Sequence, residues 1–301
     1  MLAPELVAAI TGAIVATGSA ARIKTAEPVG GGCIHQAWRV GDGDTHYFVK
    51  TNTVEALPMF EAEADGLAAL DAAGTIRVPR KVSAGRTAQQ AFLVLEHLEL
   101  CGLGNAAGGR LGEQLAELHR RTGEQPAATY GWPRDNFIGA TPQSNQTHRT
   151  WAGFFAAERL QPQLAMALRR GMNRPLYEQG ERIVGNLGAF FLDYRPLPSL
   201  LHGDLWSGNA AQLPDGTPVI FDPAVHRGDR EADLAMAELF GGFPESFYAA
   251  YRATWPLDAG FETRKTLYNL YHILNHYNLF GAGYLNQARR MIEQLVAELK
   301  R

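Results

Sequence analysis

Between Leu200 and Ala224 the chain reads LLHGDLWSGNAAQLPDGTPVIFDPA, and this stretch limits the possible folds more than any other. Two short runs, NAAQL and PVIFD, flank PDGT, in which proline, aspartate and glycine each favour chain reversal. The pattern predicts a β-hairpin. With Pro214–Thr217 as the turn, Leu213 is expected opposite Pro218, Ala211 opposite Ile220 and Asn209 opposite Asp222. Opposed residues in an antiparallel ladder have Cα atoms roughly 4.5–5.5 Å apart, which brings Asn209 and Asp222 within reach of one shared cation. A small set of oxygen donors suits Mg²⁺ when phosphates supply the remaining ligands.

Asp204 precedes Asn209 by five positions. In phosphoryl-transfer enzymes an Asp-x-x-x-x-Asn spacing has the aspartate accept the proton of the acceptor hydroxyl while the asparagine holds metal. His202 is expected to orient this loop rather than to transfer a proton. Asn209 or Asp222 alone would be read as the end of a strand; the pair, with Asp204 beside it, points to phosphoryl transfer.

Composition narrows the setting. Hydrophobic residues make up 46% of the 301 positions and charged residues 20%, which suits a globular protein with a large core. Net charge is −3 with no basic block, so no nucleic-acid surface is expected. The two cysteines, Cys33 and Cys101, argue against a disulfide scaffold and for a reducing, cytoplasmic setting. No apolar run approaches the ~20 residues that span a membrane. Near the N-terminus Leu6, Ile10 and Ile14 recur at helical spacing after Glu5, which predicts a packed helix rather than a leader peptide.

From about Ile23 to Leu98 the pattern is strand-rich, with HYFVK ending one strand at Lys50 and AFLVLEHL forming another. MFEAEADGLAALDAAG between them reads as a helix stopped by Gly74. Beyond CGLGNAAGG the chain is mainly helical. The expected architecture is α+β and bilobal. A smaller lobe, residues 1–98, carries an antiparallel sheet plus a helix. A hinge follows at about 96–101, and a larger helical lobe, 99–301, carries the metal-binding hairpin.

In the predicted helix, Phe60, Leu67 and Leu70 define an apolar stripe, and Glu63 points into it. A carboxylate on a buried face is costly unless paired. Lys50 is the natural partner, as in the strand-lysine to helix-glutamate pair that positions nucleotide phosphates. Ahead of that strand, VGGGCIHQAWRV places Gly31 and Gly32 where backbone amides can approach phosphates. The pattern continues as strand, GDGD turn and strand, so a flap over a nucleotide fits better than a Rossmann turn.

With these residues in view, the chain resembles the fructosamine kinase (ketosamine 3-kinase) family. The resemblance runs through GGGCIHQAWRV, FVK, FEAEADGL, LGEQLAELH, YGWPRDNFIGATPQSN, HGDLWSGN, GDREADLAMAELFGGF and LYHILNHYNLFG. It implies a protein-kinase-like fold related to aminoglycoside phosphotransferases. It also implies transfer of the ATP γ-phosphate to the 3-hydroxyl of a ketosamine, either a small molecule or a glycated protein lysine. On matching positions it makes Asp204 the proton acceptor, Asn209 and Asp222 the Mg²⁺ ligands, and Lys50, held by Glu63, the phosphate contact. Glu96, His97 and Leu98 become the hinge whose backbone meets adenine. Trp206, Asp135, Asn136 and His272 become acceptor-side candidates; Tyr271, Asn275 and His276 share a helical side with His272 and read as polar core or pocket wall.

The sequence departs from protein kinases in reading His-Gly-Asp at 202–204 and Asp-Pro-Ala at 222–224, with no Ala-Pro-Glu motif. Regulation through a phosphorylated activation loop is not expected. Asp229 and Asp233 read as a helix cap and a loop tether. Two alternatives stay open: a kinase for another small hydroxyl compound, aminoglycoside- or choline-like, and a non-catalytic nucleotide-binding protein. Oligomeric state is open too.

Overall fold

The computed structural model describes residues 2–19, 22–30, 34–125 and 129–300. Gly31, Gly32 and Cys33 of the expected flap lie outside the described residues. The chain opens with helix α1 (Pro4–Val15), followed by strands β1 (Thr25–Val29), β2 (Gln36–Gly41) and β3 (His46–Thr53), helix α2 (Leu57–Ala73), and strands β4 (Lys81–Arg86) and β5 (Gln90–Glu96). The strands form one antiparallel sheet in the order β1-β2-β3-β5-β4.

Period-two alternation sorts this sheet into two apolar faces. Trp38, Val40, Tyr47, Val49, Phe92 and Val94 meet Leu6, Ile10 and Ile14 of α1. Ala91, Leu93 and Leu95 face the other way and join Phe60, Leu67 and Leu70 of α2. Lys50 follows Val49, so it points to the α2 side. Strand β3 runs on to Thr53 and places Lys50 inside the ladder opposite Leu93, three residues beyond the end expected from HYFVK. Helix α2 ends where Gly74 adopts the left-handed conformation (φ 66°), its N–H donating to the Asp71 carbonyl.

The remaining chain is mainly helical. Helix α3 (Asn105–Gly123) leads to the short strands β6 (Asn136–Ile138) and β7 (Thr141–Gln143). Then come α4 (Trp151–Phe154), a π-helical stretch (Phe155–Leu160), α5 (Gln161–Arg169) and α6 (Arg174–Gly185). Strands β8 (Ser199–Leu201), β9 (Ala210–Gln212), β10 (Pro218–Ile220) and β11 (His226–Gly228) precede α7 (Glu231–Leu239), α8 (Glu245–Thr254), α9 (Phe261–Phe280) and α10 (Leu285–Glu298). Strands β9 and β10 form the hairpin, and β8 pairs with β11. The five-stranded sheet lies wholly before Leu98, but the core is continuous across that point. One buried cluster joins Phe60, Leu67 and Leu93 to Leu111, Leu115, Leu205 and Ile220. Among the described residues no helix is long and apolar enough to cross a membrane.

The hairpin register differs by one residue from the expected one. Gln212 pairs with Pro218, Ala211 with Val219 and Ala210 with Ile220. Leu213 N–H donates to the Thr217 carbonyl, so the loop is the three residues Pro214-Asp215-Gly216, closed by Gly216 in the left-handed region (φ 84°). A four-residue PDGT turn ignores that arrangement. Asn209 therefore faces Phe221, whose N–H donates to the Asn209 carbonyl at 3.0 Å, and Asp222 lies beyond the ladder.

Candidate active site

Lys50 is buried and donates from Nζ to Glu63 Oε1 at 2.7 Å and to Asp222 Oδ1 at 2.6 Å. Burial disfavours its charge, but the carboxylates of Asp222 and Glu63 outweigh burial and hold the ammonium above the usual lysine value. Burial pushes the Glu63 carboxyl up, opposed by the charge of Lys50. The sheet and α2 thus place a cation beside Asp222, which is partly open to solvent. Asp222 adopts a positive φ of 58°, the one such non-glycine residue among those described. A left-handed aspartate costs strain that surrounding bonds must sustain, and here it turns the carboxylate out of the hairpin toward Lys50.

The loop that carries Asp204 is gripped from α7. Asp233 accepts from the backbone N–H of His202 (Oδ2, 2.7 Å) and of Gly203 (Oδ1, 2.8 Å). Its carboxyl is buried, which would raise its pKa; the bond and charge of His119 and the Gly203 amide hold it below the ordinary value. His119 in turn bonds the Tyr251 hydroxyl through Nδ1 at 2.9 Å. His202 is fully buried, with Nε2 at 3.0 Å from the Phe221 carbonyl and Nδ1 at 3.3 Å from the Asp204 N–H. That pattern assigns the proton to Nε2, and burial lowers the pKa of the ring, in keeping with a neutral histidine that ties the two loops together. Asp229 accepts from the Glu231 N–H at 3.0 Å and from the hydroxyls of Tyr194 and Tyr268.

Gly203 explains the His-Gly-Asp spelling. Its φ is 82°, and a Cβ there would stand 2.1 Å from the carbonyl oxygen of Ala224. The loop and the segment after Asp222 are this close because Ala224 N–H donates to the His202 carbonyl at 2.8 Å. Gly203→Ala is expected to lower the unfolding free energy by at least about 2 kcal/mol, read from the urea midpoint, because strain adds to a backbone clash. An unchanged midpoint would show that the two loops part without cost.

Asp204 is half-buried, and burial first, then the charge of Asp222, pushes its carboxyl up to about 7. Asn209 donates from Nδ2 to the Asp204 carbonyl at 2.9 Å and to its Oδ2 at 3.3 Å. Both donor bonds turn the asparagine Oδ1 away from Asp204. The donor set fits Mg²⁺: an amide oxygen, an accessible carboxylate and a local excess of negative charge that a cation would relieve. No group of three His, Cys, Asp or Glu that could cage a metal occurs among the described residues, so water and phosphates would complete the shell.

The other expected site residues fall into two groups. Trp206 lies two residues past Asp204 and is 39% exposed, next to Gly208, where a Cβ would meet the indole at 2.2 Å. Glu96 closes β5, but its carboxylate turns to Arg77 Nη2 at 2.5 Å and to the N–H and Nε of Arg80, both at 3.2 Å. Its side chain is committed to the sheet edge, and His97 and Leu98 follow outside the ladder. Asp135 and Asn136 are engaged within the protein. Asp135 Oδ1 accepts from Asn145 N–H at 2.8 Å. Asn136 donates to the Val225 carbonyl at 2.7 Å and accepts from Gln143 and Asn145, so its amide oxygen is filled. Asn136 is buried and braces the loops, whereas Asp135 is exposed, with Oδ1 tied to the loop. His272 is 5% exposed and packs edge-on to Tyr271 at 5.0 Å; burial pushes its pKa down to about 3, which keeps it neutral. One residue that sequence reading passed over is Arg134, which bonds Glu61 and Asp65 of α2.

A sheet lysine paired with a helix glutamate, set against an Asp-x-x-x-x-Asn loop and a second aspartate, defines a protein-kinase-like phosphotransferase. Comparison with known proteins narrows this. The fructosamine kinase family model matches residues 7–298. A probable ketoamine kinase from Synechocystis is 50% identical over 279 residues, covering 92% of each chain. The chloroplastic protein-ribulosamine 3-kinase of Arabidopsis thaliana is 40% identical over 289 residues, covering 95% of this chain and 87% of the plant one. The crystal structure of a putative fructosamine-3-kinase from Haemophilus somnus superposes with a TM-score of 0.86 at 31% identity, covering 95% and 96%. The chain belongs to the fructosamine kinase family.

Proposed function

We propose that this protein transfers the γ-phosphoryl group of ATP to the 3-hydroxyl of a ketosamine, a sugar adduct of a free amine or a protein lysine. The observation that carries the reading is the contact of one buried lysine with both Glu63 and Asp222 beside the Asp204 loop, in a chain of this family. Lys50 meets the phosphates, and the backbone of 96–98 meets adenine. The Asp204 carboxylate takes the proton of the sugar 3-hydroxyl as its oxygen bonds to the γ-phosphorus. The bond from that phosphorus to the β–γ bridging oxygen breaks, and ADP leaves. Asn209 and Asp222 would hold Mg²⁺, which when bound neutralises charge on the phosphoryl oxygens. Catalysis rests on positioning and charge rather than on covalent chemistry with the protein.

ADP release with Mg·ATP and lysine adducts of ribulose or fructose tests the reading. Adduct-dependent release, with phosphate found on the sugar 3-oxygen by NMR, supports it. Release no faster with either adduct than with ATP alone overturns it and returns the other hydroxyl acceptors to consideration. Trp206 offers an aromatic face two residues from the base. Trp206→Ala is expected to raise the adduct KM about three- to tenfold with the ATP KM unchanged, as loss of one aromatic contact predicts. A shift in the ATP KM instead would place Trp206 on the nucleotide side.

A further inference from the structure

Glu61 and Asp65 stand one helical turn apart on α2, at i and i+4, where two like charges repel. Both lie on the flank away from Glu63, two residues to either side of it in sequence. Arg134, in the segment before β6, bridges them: Nη2 bonds Glu61 Oε2 at 2.5 Å and Nη1 bonds Asp65 Oδ2 at 2.6 Å. The three side chains are 40%, 44% and 49% exposed, so the pairs contribute little to global stability. Their geometry does more than their energy. Helix α2 is held on one side by Lys50 and on the other by Arg134.

Arg134 is itself anchored. Its carbonyl accepts from Asn145 Nδ2 at 3.0 Å, and Asn145 Oδ1 accepts from the buried Arg159 at 2.7 Å. Asn136, two residues on, bonds the Val225 carbonyl, three residues past Asp222. Gly66 of α2 packs against the same segment, with room for a Cβ only at 3.2–3.3 Å from Pro223 and Val225. Residues 134–145 therefore form a brace between α2 and the segment that follows Asp222.

We propose that Arg134 is a positioning residue that keeps α2 where Glu63 engages Lys50, so that the phosphate-positioning pair stands formed without a phosphorylated loop or an activating partner. This rests on the reading of Lys50 as the phosphate contact. Arg134 bonds Glu61 and Asp65 of α2 and acts through Glu63.

The test compares Arg134→Met and Arg134→Lys with wild type, alone and with Glu63→Gln. Arg134→Met is expected to lower kcat about three- to tenfold at unchanged adduct KM, with Tm moving by no more than about 3 °C, because exposed ion pairs add little to stability. Arg134→Lys recovers part of the loss. In the Glu63→Gln background the same substitution costs nothing further; an undiminished cost there overturns the proposal. Hydrogen exchange in residues 57–73 reads the brace without an acceptor. Faster exchange in Arg134→Met supports it even if no ketosamine is turned over, and unchanged exchange sinks it.

Discussion

Asp204→Asn is expected to reduce kcat for ketosamine phosphorylation by about 10²–10⁴-fold, the usual scale for losing a positioned general base. The substitution keeps size and shape, and Asp204 holds its loop mainly through its backbone: its N–H meets His202 and its carbonyl accepts from Asn209. The grip of Asp233 on His202 and Gly203 does not involve the Asp204 side chain. Loop geometry should therefore survive, and the Kd for Mg·ATP, measured by calorimetry, should stay within about threefold of wild type, so that the loss lies in kcat. The variant cannot accept the proton of the 3-hydroxyl. Retention of more than about a tenth of the wild-type rate would mean that the phosphate itself takes the proton and that Asp204 only orients the acceptor.

The largest expected loss of stability lies behind the site. Glu231, the first residue of α7, is fully buried and receives a two-pronged bond from Arg264 of α9, Nε to Oε2 at 2.7 Å and Nη2 to Oε1 at 2.9 Å. The guanidinium also stacks on Tyr194 at 4.0 Å. Arg264→Met strands a buried carboxylate and is expected to cost about 3–5 kcal/mol of unfolding free energy, read from the urea midpoint at constant m. Replacing both partners, Glu231→Gln with Arg264→Met, should recover most of it, because no uncompensated charge remains. The sign of the pH dependence follows. Burial already pushes Glu231 up to about 7, and without Arg264 it rises further. A carboxyl raised in the folded state is penalised while ionised, so the deficit of Arg264→Met should shrink as pH falls from about 8 to about 5. A deficit under about 1 kcal/mol at every pH would show that α7 is held by its apolar contacts alone. The consequence for chemistry is direct, since α7 also carries Asp233.

Much of this was legible in the chain. The stripe Phe60, Leu67 and Leu70 with Glu63 inside it required a buried cation, and Lys50 supplies it at 2.7 Å. Leu6, Ile10 and Ile14 announced a packed helix by their spacing, and all three are buried under the sheet. These are local statements, because helical and strand periodicities fix which face a side chain takes before any partner is known. Like charges at Glu61 and Asp65 were a signal of the same kind, but they name the sign of a partner and not its address.

What the sequence by itself determined is which residues to propose for the chemistry: the Asp-x-x-x-x-Asn spacing, the second aspartate, and the strand lysine with its helix glutamate, which the fold brings into contact. Only the tertiary structure decided how they are held. Hairpin register depends on whether Gly216 joins the loop in a left-handed conformation, a choice of one dihedral that moves every opposed pair by one place and leaves Asp222 outside the ladder. Asn136 looks free for a ligand until Gln143, Asn145 and the Val225 carbonyl occupy its amide. Arg134 reaches α2 across more than sixty positions of chain. Periodicity reports the direction a side chain takes from its own element, whereas its partner is set by how distant elements close-pack, and that is written in no local pattern.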